Sequence, residues 1–197
     1  MKQNFLWLVA VLFILCSSTV SWSTPYTGAD LMLDGKAYSK ISGLGTTPVS
    51  GGHEWYIDDG SVWTAWANEW IEYEAYLTAG TWNIGLNAMN RGNIGTKDWY
   101  TQFQITNSFN SAMTTITIPA SDTEEYHGFA TAEILTDALY TVKYTWVNDK
   151  YNPNLGLDAN IRITSVFFDN LDTPAPPSSP VPEPAAFLLF GLGLLGL

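Results

Sequence analysis

Polar and apolar residues alternate with a period of two over much of this chain. In Glu69-Trp70-Ile71-Glu72-Tyr73-Glu74-Ala75-Tyr76-Leu77, the residues Ile71, Tyr73, Ala75 and Leu77 share one side while Glu72 and Glu74 share the other. That is the pattern of a half-buried strand. Thr78-Ala79-Gly80 makes a short turn, and alternation resumes from Thr81 to Asn90 with Trp82, Ile84, Leu86 and Ala88 inward and Asn83 and Asn87 outward. Two such runs joined by a short glycine-containing link read as a hairpin. Further strands are expected over 99–106, 113–118, 138–147 and 160–169, and no run of three helical turns is amphipathic. Many short strands without helices predict an all-β fold, an antiparallel β-sandwich or jelly roll.

The tryptophans sort by phase. Trp82 and Trp146 fall on the apolar sides of their strands and belong to the core. Trp70 shares the face of Glu72 and Glu74. Trp55 and Trp99 sit in or beside segments that do not alternate cleanly, and Trp63 and Trp66 lie in what reads as an insertion over 61–68.

Both ends break the pattern. Lys2, the apolar core from Phe5 to Leu15, and the small residues Ser21 and Ser23 read as a signal peptide over 1–23, with Thr24 as the mature start. Bulky Leu15 argues against a lipoprotein use of Cys16, which leaves with the signal, so the mature chain has no cysteine and no disulfide. Near the other end, Pro174-Ala175-Pro176-Pro177-Ser178-Ser179-Pro180 is a stiff spacer that joins neither sheet nor helix. One domain over 24–173, about 150 residues, remains between the two addresses.

After the 174–180 linker come Val181-Pro182-Glu183-Pro184 and an unbroken apolar run from Ala185 to Leu197. Segment 181–197 resembles the PEP-CTERM sorting signal, with Pro182, Glu183 and Pro184 as the motif. The resemblance implies recognition and cleavage by an exosortase-type enzyme, transient membrane anchoring through the apolar segment, and delivery to the cell surface or extracellular matrix of an exopolysaccharide producer. It departs from the family in lacking the closing basic cluster. As a helix the 13 apolar residues span about 20 Å, short of the roughly 30 Å hydrocarbon layer.

Charge narrows the partners. The chain carries 8 Lys and Arg against 19 Asp and Glu, a formal net of −11, which becomes −12 once Lys2 leaves with the signal. Nucleic acid and anionic membranes require a cationic face and are disfavoured, whereas neutral polysaccharide and divalent cations fit. Enzyme signatures are poor. His53 and His127 stand alone, there is no phosphate loop, and Glu72 and Glu74 lie on the solvated side of one strand, so no catalytic residue is assigned.

The surplus of aromatics suits sugar. One face of a pyranose is a patch of C–H groups that an exposed ring covers, while Asn, Asp and Glu bond the hydroxyl rim. The succession Trp55-Tyr56-Ile57-Asp58-Asp59-Gly60, Trp70-Ile71-Glu72-Tyr73, Ala79-Gly80-Thr81-Trp82, Ile116-Thr117-Ile118-Pro119 and Asn160-Ile161-Arg162-Ile163 resembles family-six-type carbohydrate-binding modules, which are galactose-binding-like β-sandwiches. The resemblance implies a sugar-stacking aromatic at Tyr56 or Trp55 in a first loop, a second at Tyr126, and a hydrogen-bonding residue at Asn160.

For a structural calcium ion, Asp58-Asp59-Gly60 and Asp158-Ala159-Asn160 supply hard oxygen ligands, naming Asp58, Asp59 and Asp158, although such pairs also serve simply as turn formers. The acidic pair usual in the family's first strand is replaced by Leu31-Met32-Leu33-Asp34-Gly35. The expectation is therefore an exported, non-catalytic β-sandwich that binds extracellular polysaccharide. The alternative is a structural or adhesive matrix protein with no sugar site, and a glycoside hydrolase is a more distant third.

Overall fold

The computed structural model describes residues 20–22, 29–45, 54–58, 60–95 and 99–172. They are all-β, with no helix among them. The strands are β1 (Val20–Trp22), β2 (Leu31–Asp34), β3 (Lys40–Ile41), β4 (Trp55–Asp58), β5 (Ser61–Thr64), β6 (Trp70–Leu77), β7 (Gly80–Asn90), β8 (Gln102–Phe109), β9 (Ala112–Pro119), β10 (Tyr126–Ile134), β11 (Ala138–Trp146), β12 (Tyr151–Asn152), β13 (Leu157–Asp158) and β14 (Ile161–Asn170). One sheet runs β1-β10-β7-β14-β5-β4, with β2 also paired to β14, and the facing sheet runs β3-β6-β11-β8-β9. The strand pairs are antiparallel. β12 and β13 form a separate small hairpin.

The inward faces follow the alternation. Ile71, Tyr73, Ala75 and Leu77 of β6 are buried, as are Trp82, Ile84, Leu86 and Ala88 of β7, Val142, Tyr144 and Trp146 of β11, and Phe103 and Ile105 of β8. The expected hairpin between 69–77 and 81–90 does not form. β6 pairs with β11 and β3, whereas β7 pairs with β10 and β14 in the other sheet. The 78–80 link is an arch across the core rather than a turn within one sheet. Asp137 accepts the Ala79 amide and Asp172 the Thr81 amide, so the link is fastened to neighbours from both sheets. Two apolar faces in identical phase can face each other across a sandwich as readily as lie side by side, and strand periodicity does not distinguish the two.

Segment 61–64 is a fully buried strand rather than an insertion, paired with β4 around Gly60, whose φ is +89°. In β14 the register shifts between Ile163 and Ser165. This bulge lets Ile161 and Ile163 point inward before it and Val166 and Phe168 after it, all buried. β1 lies inside the stretch read as a signal peptide and extends the first sheet beyond β10. The mature start at Thr24, the 174–180 linker and Pro182, Glu183 and Pro184 lie outside the described residues.

The sandwich has two poles. One gathers the 78–80 arch, the β10–β11 link at 135–137, and Leu171 and Asp172 after β14; the amides of Leu171 and Thr81 are bound to Thr81 O and Asp172. The other gathers the far end of β7 at Asn90, the start of β14 and the β12–β13 hairpin, where Asn160 N donates to Asn90 Oδ1.

Candidate functional site at the hairpin pole

Two of the expected stacking aromatics, Trp55 and Tyr56, are not at the surface. Trp55 is 1% exposed and belongs to the core, and Tyr56 is 4% exposed. Both lie in β4 rather than in a loop, because the Asp58–Ser61 turn folds this segment back onto β5. The Tyr56 ring lies 4.7 Å from that of Trp63, and the Arg91 guanidinium covers Trp63 at 4.3 Å. Tyr126 is half-buried against the core, and its hydroxyl donates to the Glu124 carboxylate. β10 and β4 are separated by β7, β14 and β5, four strand spacings or roughly 19 Å. Tyr56 and Tyr126 therefore cannot share one sugar ring.

The expected metal set also divides. Asp58 is held by Arg91, with Nε at 2.7 Å from Oδ2. That hydrogen bond keeps its carboxyl below the usual range, and an acid already neutralised by a guanidinium is a poor cation ligand. Asp59 lies outside the described residues. Asp158 turns instead toward Asn160, whose Nδ2 donates to its Oδ2 at 3.1 Å.

A different constellation forms around Asp158 and Asn160. The loop leaving β11 is fastened by Asn148, whose Oδ1 accepts from Trp146 Nε1, Tyr100 OH and Gln104 N, while its Nδ2 donates to Gln102 O. This fixes Asp149, which carries a buried Oδ1 without a hydrogen-bond partner. Burial pushes its carboxyl up to about 6, and the charge of Asp158 adds to the shift. Burial also raises the Asp158 carboxyl, against the opposing pull of the Asn160 amide. Asn160 is 8% exposed, and its Oδ1 has no partner either. The neighbouring cation, Lys150, is turned away: its Nζ donates to Trp99 O at 2.6 Å and lies 4.9 Å from the Trp99 ring.

Two half-buried carboxylates and an unpartnered carboxamide oxygen, with the local lysine engaged elsewhere, are the donor chemistry of a hard divalent cation such as Ca²⁺. Among the described residues no group of three or more His, Cys, Asp or Glu could hold a metal. Any shell here would therefore draw on Asn160, backbone carbonyls and water besides Asp149 and Asp158.

Beside these acids stands an exposed aromatic. Tyr151 is directly opposite Asp158 in the β12–β13 ladder and is 64% exposed. A shallow cleft of about 360 Å³, bounded by Trp99, Gln102, Gln104, Asp149 and Lys150, adjoins it. Of the expected site residues, only Asp158 and Asn160 come together here. Asp149 and Tyr151 were not anticipated. The signal available for them was an isolated aromatic within Asn148-Asp149-Lys150-Tyr151-Asn152-Pro153-Asn154, a stretch so dense in turn formers that it had to be a surface loop.

Residues 180–197 match the PEP-CTERM protein-sorting motif. No curated protein matches the sequence. Among solved structures, the domain is similar to the insecticidal crystal protein Cry2Aa (TM-score 0.48, 11% identity), covering 71% of this chain but only 21% of that one. It is similar also to the CBM36-1 domain of a multidomain xylanase from the hindgut metagenome of Trinervitermes trinervoides (TM-score 0.49, 14% identity, 73% of this chain and 98% of that one). A third similar structure is the C-terminal CBM6 of LamC, a marine laminarinase from Zobellia galactanivorans (TM-score 0.44, 11% identity, 71% and 98%).

Proposed function

We propose that this is an exported, non-catalytic surface or matrix protein whose domain, residues 24–173, binds extracellular polysaccharide at the hairpin pole with the help of Ca²⁺. One observation carries the reading: an exposed ring, Tyr151, is laddered to Asp158 beside two buried oxygens, of Asp149 and Asn160, that lack partners. The ring offers a face to a pyranose. Asp149, Asp158 and Asn160 would hold the cation, which supplies a hard positive centre for sugar hydroxyls, and the Trp99 cleft extends the contact area. The net negative charge fits a neutral polymer. The sorting motif supports export and exosortase-type removal of segment 181–197 after transient membrane anchoring.

The test is retention of the full chain on the producer's own exopolysaccharide, with Ca²⁺ or with a chelator. Tyr151→Ala and Asp158→Asn are each expected to weaken retention about tenfold or more, equal to about 1.4 kcal/mol, and the chelator is expected to act as Asp158→Asn does. Retention unchanged in both variants would end the assignment. Absence of retention on any glycan would favour a structural or adhesive matrix protein with no sugar site.

A further inference from the structure

The C-terminal end of the folded body leaves from one pole, beside Asp30, and the candidate site occupies the other. At the first pole, Asn170 N donates to Asp30 Oδ2 at 2.8 Å, Leu171 N to Thr81 O at 2.7 Å, and Thr81 N to Asp172 Oδ2 at 2.7 Å. At the second, Asp158 N donates to Asn93 O and Asn160 N to Asn90 Oδ1. β7 connects the two from Gly80 to Asn90, and 11 residues of strand span roughly 33 Å.

Four large apolar side chains are exposed at the exit pole, among exposed polar neighbours. Tyr76 and Leu139 are direct cross-strand neighbours, each 63% exposed; Leu135 in the adjoining link is 73% exposed, and Leu171 49%. Asp30, Asp137 and Asp172 there accept from the amides of Asn170, Ala79 and Thr81, while Glu74 and Glu133 are exposed beside them. From Asp172 the chain continues through 173–184, twelve residues of which six are proline. Twelve residues bound the distance between Asp172 and the apolar run at about 37 Å in an extended polyproline geometry. That run, 185–197, is uncharged.

We infer that the domain is polarised: while the tail is membrane-inserted, the exit pole with Tyr76, Leu135 and Leu139 rests on a neutral, zwitterionic lipid surface, and the hairpin pole points outward. The point at which the chain leaves the fold, after Asp172, sets which pole is nearer the bilayer, and exposed apolar side chains supply the contact. The charge of −11 makes an anionic surface unfavourable. The outward orientation of the polymer site rests on the proposed function, whereas the lipid contact rests on the sorting motif and the path of the chain.

The test uses the full chain carrying Cys16→Ser and a single fluorophore at Thr136→Cys or Asn154→Cys, bound to phosphatidylcholine vesicles containing nitroxide-labelled lipid. The residue 136 probe is expected to be quenched severalfold more than the residue 154 probe. Adding Leu135→Ser with Leu139→Ser should reduce that difference severalfold while vesicle binding persists. Equal quenching at both positions, stronger quenching at 154, or none at either overturns the inference. If the 136 probe is preferentially quenched but the vesicles fail to retain the producer's exopolysaccharide, the functional reading fails and the polarity stands.

Discussion

The hydroxyl of Tyr144 in β11 donates to the carbonyl of Gly85 in β7 at 3.1 Å, so a tyrosine from one sheet reaches through the core to the backbone of the other. Tyr144 is 1% exposed, and burial pushes its phenol far above the normal range. Tyr144→Phe keeps the ring and removes the donor, leaving a buried carbonyl short of one partner. The expected loss is about 1–2 kcal/mol, read by urea unfolding. An unchanged midpoint would mean that water replaces the hydroxyl.

Gly85 itself leaves no space for a side chain. A Cβ there would stand 2.4 Å from Gly128 O and 2.4 Å from Phe167 Cζ. Gly85→Ala is expected to cost about 2 kcal/mol or more through displacement of neighbouring backbone, visible as a lowered melting temperature. A neutral effect would show that β10 can move outward.

Tyr56 and Tyr151 should separate stability from binding. Tyr56 is buried against Trp63, so Tyr56→Ala opens a cavity and is expected to cost about 3 kcal/mol or more. Tyr151→Ala removes an exposed ring and should leave the melting temperature nearly unchanged while weakening polysaccharide retention. The opposite pattern, with Tyr151→Ala destabilising and binding intact, would relocate the site.

Calcium should act through Asp149 and Asp158. Excess Ca²⁺ binding only the folded state raises its stability by mass action, so the melting temperature is expected to rise with Ca²⁺ and to fall back with a chelator. In the Asp149→Asn, Asp158→Asn double variant the rise should vanish. A rise of equal size in that variant would place the cation elsewhere.

The Asp58–Arg91 pair supplies a pH signature. Arg91 lowers the folded-state pKa of Asp58, so the pair stabilises the fold above the unfolded carboxyl value and the benefit disappears as pH falls through the lower folded value. Both side chains are partly exposed, which limits the contribution to about 0.2–1 kcal/mol. Wild type and Asp58→Asn are expected to differ by this amount at pH 7 and to converge once pH has fallen below the lowered folded-state value of Asp58. A gap that persists into strong acid would show that the aspartate acts by shape, not charge.

Processing has a direct readout. Mature protein from the producing cell is expected to lack the residues after about Pro184, measured as intact mass. Mass that still includes Leu197 would contradict exosortase-type cleavage.

The strands legible in residue order are β6, β7, β9, β11 and β14, because half-burial writes itself into alternation, while β10 (Tyr126–Ile134) is not among the expected strands. β8 begins three residues later than expected, at Gln102, since Trp99 and Tyr100 are drawn out of the ladder by Lys150 and Asn148. β4 and β5 read as loop and insertion because they are short: β5 is buried on both faces, so no polar side marks its period, and the exposed position of β4 is the apolar Ile57. For the site, residue type identified Asp158 and Asn160, but exposure is a property of neighbours. Nothing in Trp55-Tyr56 tells whether another segment will cover it.

Residue order alone is enough for an all-β body and a tail bearing a sorting motif, since strand period and the Pro-Glu-Pro run are both local properties of the chain. Only tertiary structure decided that β6 and β7 belong to different sheets, that Arg91 neutralises Asp58, and that Asp149 and Tyr151 stand beside Asp158. The first two depend on segments far apart in sequence meeting in space, through many weak contacts shared across the fold, and the third on how one short hairpin packs against its neighbours.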